Sequence, residues 1–191
     1  MFYPPAVSER KEWYRFFSSG IIHADIPHLL FNMYALYLFG TAVENKFIEI
    51  FEEKGKLLYI AMYVLALGAS LLPTYSKNKD NYQYRSLGAS GAVSAVVFAF
   101  MLFDPIRGVS LMFIPIYIAG FLFGILYLVI SYYLDKRGGG RINHSAHIWG
   151  ALFGIAFVIV ACRLFGGYPV LGNLLEALKN MRGSDIITFG R

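Results

Sequence analysis

Cysteine is almost absent from this sequence: the single Cys162 sits inside the last apolar run, so neither a disulfide framework nor a thiol pair for a metal can be built. Charge is scarce as well, at 15% of 191 residues, against 57% hydrophobic residues and a mean hydropathy of +0.53. That is more apolar surface than an ordinary soluble domain carries. The first residues, MFYPPAVSERKEWYRFF, lack an apolar h-region, so neither a signal peptide nor a span is expected there. No basic run is interleaved with aromatics, which excludes single-strand nucleic-acid binding as the reason for the net charge of +5. Loop cations beside anionic headgroups account for it. An internal repeat of useful length is also missing, which disfavours an inverted-repeat transporter.

What is present is a rhythm of apolar runs separated by short charged blocks around 44 to 56, 77 to 85 and 135 to 141. Segments such as LLYIAMYVLALGASLL (57 to 72) and VSLMFIPIYIAGFLFGILYLVISYYL (109 to 134) are apolar on every face, as helices in lipid are. The pattern predicts an all-α, polytopic membrane helical bundle with five spans, at about 26 to 43, 57 to 73, 87 to 103, 113 to 134 and 147 to 165. Pro73, Asp104-Pro105 and Gly138 to Gly140 mark joins, and Pro115 predicts a loop or bent start to the fourth run. Residues 1–165 form one expected domain. In the tail, 166–191, Leu174, Leu175, Leu178 and Met181 follow Asn173, a candidate N-cap, and predict a short interfacial helix. Orientation stays open, because alternate loops hold eight and nine of the 17 Lys and Arg residues.

Polar groups in or near spans mark candidate chemistry. His28 and Asn32 lie one helical turn apart and share a face, so both can donate to one oxyanion; they can equally satisfy bundle hydrogen bonds. Ser90 lies between Gly88 and Gly91 at the start of an apolar helix, where first-turn amides lack intrahelical partners and are ready for developing negative charge. The competing reading is a small residue at a helix crossing. His147 sits at the corresponding end of the last span, with Gly150 and Gly154 giving that helix a flat face for close packing. No carboxylate lies inside a span, so a Ser–His pair can form only a dyad. The soluble elbow G-x-S-x-G is missed at Ala92, and His144 with His147 lacks the further ligands a zinc site needs.

Together these residues resemble the rhomboid family of intramembrane serine proteases. Glu12-Trp13-Tyr14-Arg15 resembles the family's Trp-Arg loop element; His23, His28-x-x-x-Asn32, Gly88-Ala89-Ser90-Gly91 and His144-x-x-His147-x-x-Gly150 follow in the family's order, from about residue 12 to 165. The resemblance implies a six-helix core open to the extracytoplasmic side. It implies Ser90 as nucleophile, His147 as general base, and His28, Asn32 and the Ser90 amide around the oxyanion. Glu12 and Arg15 would brace the loop ahead of the first visible span, and Glu44 would close that span on the cytoplasmic side. Two departures stand out. The span that should precede the Trp-Arg loop is missing, so residue 1 is read as an internal start or a truncation. Position 94, one turn after the nucleophile, is Ser where related enzymes often carry an aromatic that stacks on the catalytic imidazole, so another side chain, or none, must hold His147.

The expected reaction is acyl transfer from transmembrane protein substrates near the extracytoplasmic face, in a multi-pass protein of a bacterial cytoplasmic membrane. Neither metal nor other cofactor is expected; the partners are substrate helices and lipid. The alternative is an inactive rhomboid-like protein that binds membrane clients without cutting them, and a small transporter or channel is a further rival.

Overall fold

The computed structural model describes residues 1–110, 115–137 and 142–189. The Gly138 to Gly140 join, Arg141 and the first residues of the fourth expected span, 113 and 114, lie outside them. The chain is mostly helical. Helix α1 (Pro4–Arg10) and the single turn α2 (Arg15–Ser18) precede α3 (Ile26–Phe51), α4 (Gly55–Ala69), α5 (Leu72–Asn78) and α6 (Ser90–Phe103). Strands β1 (Gly108–Val109) and β2 (Ile116–Ala119) lead into α7 (Gly120–Arg137). Then come α8 (His144–Ala161), a π turn (Cys162–Gly166), α9 (Val170–Asn180) and β3 (Ile187–Phe189).

Helix α6 is the axis of the bundle, packed by α3, α4, α7, α8 and α9. Its small residues Gly91, Ala92, Ser94, Ala95 and Ala99 are all buried and let neighbours approach on several sides. It is only 14 residues long, apolar in its own sequence and almost wholly buried among the helices around it. A Cβ at Gly150 would fall on the Gly91 carbonyl, and one at Gly154 on the Ala95 carbonyl, so α6 and α8 meet backbone to backbone. At the other end Val43, Phe47 and Phe51 of α3 join Phe98 and Met101 of α6 in the largest apolar cluster.

Among the described residues, two helical runs are long and apolar enough to cross a membrane, Ile26–Asn78 and His144–Gly166; Ser90–Phe103 is apolar but shorter. Large apolar side chains point outward, among them Leu30, Tyr37, Leu57, Ile130 and Leu164, each more than half exposed. An exposed apolar belt of that extent is what lipid covers.

Several expectations are corrected. The chain is not purely helical: β1, β2 and β3 form an antiparallel sheet in that order, with Ile116 opposite Phe189 and Ile118 opposite Ile187. Helix α3 runs past Glu44, the expected end of the span, to Phe51, because Val43, Phe47 and Phe51 continue a buried stripe at i, i+4 spacing. Pro73 begins a helix instead of ending one: it sits in the first turn of α5, where a missing N–H costs nothing. The fourth run becomes helical only at Gly120, with β2 as its bent start after Pro115. Asn173 lies inside α9, whose N-cap position is Pro169, and Val170 is buried in the main cluster.

Candidate active site

The nucleophile candidate is delivered by a loop pinned at successive points. Phe2 and Ser86 exchange backbone hydrogen bonds of 2.8 and 3.1 Å, and the Gly88 amide donates to the Ser19 carbonyl at 3.0 Å. Gly88 has φ +106°, a conformation a side chain resists, and a Cβ there would lie 2.8 Å from the His28 ring. The loop therefore turns tightly against His28 and delivers Ser90 as the first residue of α6. Among the described residues no side chain caps that helix, so its first-turn amides stay directed at the space ahead of it.

The imidazole comes from α8. Asn143 caps that helix by accepting from the Ala146 amide at 3.0 Å, and the same oxygen accepts from the Thr74 hydroxyl at 3.2 Å. Its amide nitrogen donates to Ser86 Oγ at 3.5 Å. One residue thus ties the start of α8 to α5 and to the loop before Ser90. One turn on, His147 Nε2 lies 2.7 Å from Ser90 Oγ. With the ring proton on Nδ1, the hydroxyl donates to Nε2, the arrangement a general base requires.

Around this pair, Asn32 is buried at 2% exposure and donates from Nδ2 to the His28 carbonyl at 3.1 Å, one turn back on its own helix. His28 accepts at Nδ1 from the Ala24 amide at 3.5 Å. The four histidines pair edge to face, His23 with His28 and His144 with His147. His23 Nε2 and His144 Nδ1 are buried without a partner, and no three potential metal ligands converge among the described residues. Gly91 and Gly150 form the backbone contact already described. Glu12 is engaged by arginines. It bridges Arg10 at 3.1 Å and Arg15, whose guanidinium also reaches the Met1 carbonyl at 2.9 Å. The Arg15 hydrogen bond holds the Glu12 carboxyl below the ordinary carboxylate range.

Two residues escaped sequence reasoning. Asn143 carried a signal, being an N-cap residue directly before an apolar helix. Tyr127 carried none: its ring stacks on His147, centroids 6.1 Å apart at 21°, and its hydroxyl is 3.0 Å from Ser94 Oγ.

A mostly helical bundle with large apolar side chains turned outward, in which a serine and a histidine meet at adjoining helix ends, is the build of a membrane protein. Residues 10–164 match the model of the Rhomboid domain, and the chain belongs to the rhomboid family, which includes intramembrane serine proteases. It is 29% identical over 143 residues to RHOMBOID-like protein 12, mitochondrial, of Arabidopsis thaliana, a match covering 70% of this chain and 42% of that protein. It is 31% identical over 147 residues to the presenilin-associated rhomboid-like protein, mitochondrial, of Rattus norvegicus and of Homo sapiens, covering 73% of this chain and 36% of each relative. The chain thus spans well under half the length of these relatives. Their names are mitochondrial, which does not fit the expected bacterial cytoplasmic membrane.

Proposed function

We propose that this chain is an intramembrane serine endopeptidase that cuts transmembrane proteins near the membrane face at which α6 and α8 begin. The observation that carries the reading is the 2.7 Å contact between Ser90 Oγ and His147 Nε2, made by two apolar helices and lacking a carboxylate partner among the described residues. As Oγ attacks the scissile carbonyl carbon, its proton passes to Nε2 and the carbonyl oxygen takes the negative charge. The first-turn amides of α6, His28 and the second N–H of Asn32 are the donors for that oxygen. The imidazolium then returns its proton to the leaving amine, and water resolves the acyl-enzyme.

Depth and water supply support the reading. Helix α6 rises only about 21 Å over its length. The hydrocarbon is about 30 Å thick, so a helix of that length whose far end reaches the opposite face leaves Ser90 recessed below the membrane surface. A cavity of about 10 Å³ beside it is lined by Ser19, Ser70, Ser86, Ser90 and Asn143, at the lower limit of room for one water. Residues 1–165 are the protease core and 166–191 a tail that packs onto it.

A serine-directed fluorophosphonate tests the assignment. The chain in detergent is expected to label, and Ser90→Ala and His147→Ala to abolish labelling while helical content stays unchanged. A chain that fails to label in lipid as well as detergent is instead a client-binding protein.

A further inference from the structure

We infer that Tyr127 of α7, anchored by Ser94 of α6, is the positioning residue that holds the His147 imidazole toward Ser90. The inference rests on the protease reading of the Ser90–His147 pair and adds a third helix to it.

Among the described residues no carboxylate fixes the orientation of His147, and Nε2 can accept from Ser90 in only a narrow range of ring rotations. The Tyr127 ring covers one face of the imidazole, at 6.1 Å between centroids and 21° between planes, within the range of offset stacking. Tyr127 is itself held in two ways. Its hydroxyl lies 3.0 Å from Ser94 Oγ, and Ser94 is only 5% exposed, so neither group has water as a ready substitute. Its ring packs on Phe98, one turn further along α6, with centroids 5.8 Å apart. Close approach is possible because α7 carries Gly124 one turn before Tyr127: a Cβ there would lie 3.0 Å from Met101 Sδ and 3.2 Å from the Phe98 ring.

The arrangement divides one task between two helices. A small residue at 94 leaves the space that the Tyr127 side chain occupies, and supplies the hydroxyl that fixes it. Since the ring belongs to α7, the orientation of the base depends on where α7 sits: if α7 swings away, His147 loses its stack while Ser90 and the α6–α8 contact stay in place.

The test combines turnover of a reporter transmembrane substrate in detergent with NMR of isotope-labelled histidine in the same variants. Tyr127→Leu is expected to lower kcat about 10²-fold, the cost of a small misplacement of a reacting group, with KM nearly unchanged. Its His147 ring resonance should move as the ring current is lost. Tyr127→Phe keeps the stack, so the resonance stays, and kcat falls roughly 3- to 10-fold through the lost hydrogen bond. Ser94→Ala should match Tyr127→Phe, and the double variant should be no worse than either, since removing both partners leaves no orphan. An unmoved His147 resonance in Tyr127→Leu overturns the inference, as does additive loss in the double variant. Should the parent chain prove inactive, the protease reading falls alone: the histidine spectra still decide the contact, a moved resonance supporting it and an unmoved one overturning it.

Discussion

At the scale of single residues, the site depends on how few hydrogen-bond donors are left uncommitted. Asn32 has two amide hydrogens, and one is used on the His28 carbonyl at 3.1 Å. That bond stiffens the carboxamide, and the second hydrogen has no partner among the described residues. Burial at 2% exposure makes an idle donor costly, which favours a role that a substrate oxygen fulfils. Asn32→Ala is therefore expected to lower kcat on the order of 10²-fold with little change in KM, because the lost contact forms fully only when the oxyanion does. Turnover of the reporter substrate by matched amounts of folded protein measures it. Unaltered turnover would reduce Asn32 to a structural residue of α3.

At the scale of elements, the decisive object is the α6–α8 contact. Its backbones touch at Gly91 with Gly150 and at Ala95 with Gly154, leaving no space for an added methyl group. Gly150→Ala must push α8 outward next to the Ser90–His147 pair, at about 1–3 kcal/mol for overpacking. The expected result is a lower thermal midpoint together with fluorophosphonate labelling slowed by about 10²-fold, since Ser90 and His147 sit on the two helices being parted. Labelling at the parent rate in Gly150→Ala would mean that the contact does not set their spacing. The same elements show what the sequence can and cannot reveal. Runs apolar on every face identify α4 and α6 readily, and Gly150 and Gly154 mark a packing face without further help. The end of α3 is hidden, because the stripe that prolongs it is spread among charged residues. Strand β3 is hidden because its partner residues in β2 lie 69 to 73 positions away, a pairing no local pattern encodes. Tyr127 is hidden because Tyr132 and Tyr133 follow it in the same run, and only the packing of three helices distinguishes one from the others.

Over the whole molecule, the chain's last described strand reaches back to the start of α7. Strand β2 runs directly into that helix at Gly120, and three β3 residues pair with β2. The amides at this junction have different partners: Ala119 donates to the Ile186 carbonyl at 3.0 Å, whereas Gly120 and Phe121 donate to Arg107 and Pro105 at 3.1 and 2.9 Å. The tail therefore fastens β2, while the α6–α7 connection caps α7 itself. Deleting residues 182–191 removes the first of these and spares the second. Hydrogen–deuterium exchange should then speed up at Ala119, whose partner is gone, and stay slow at Gly120 and Phe121, because opening is local where the bonds are independent. If α7 leans on the tail more heavily than this, protection will fall through Phe121 and the His147 resonance will move with it, since the helix that carries Tyr127 would have shifted. Exchange unchanged at Ala119 would mean that β3 does not hold β2 at all.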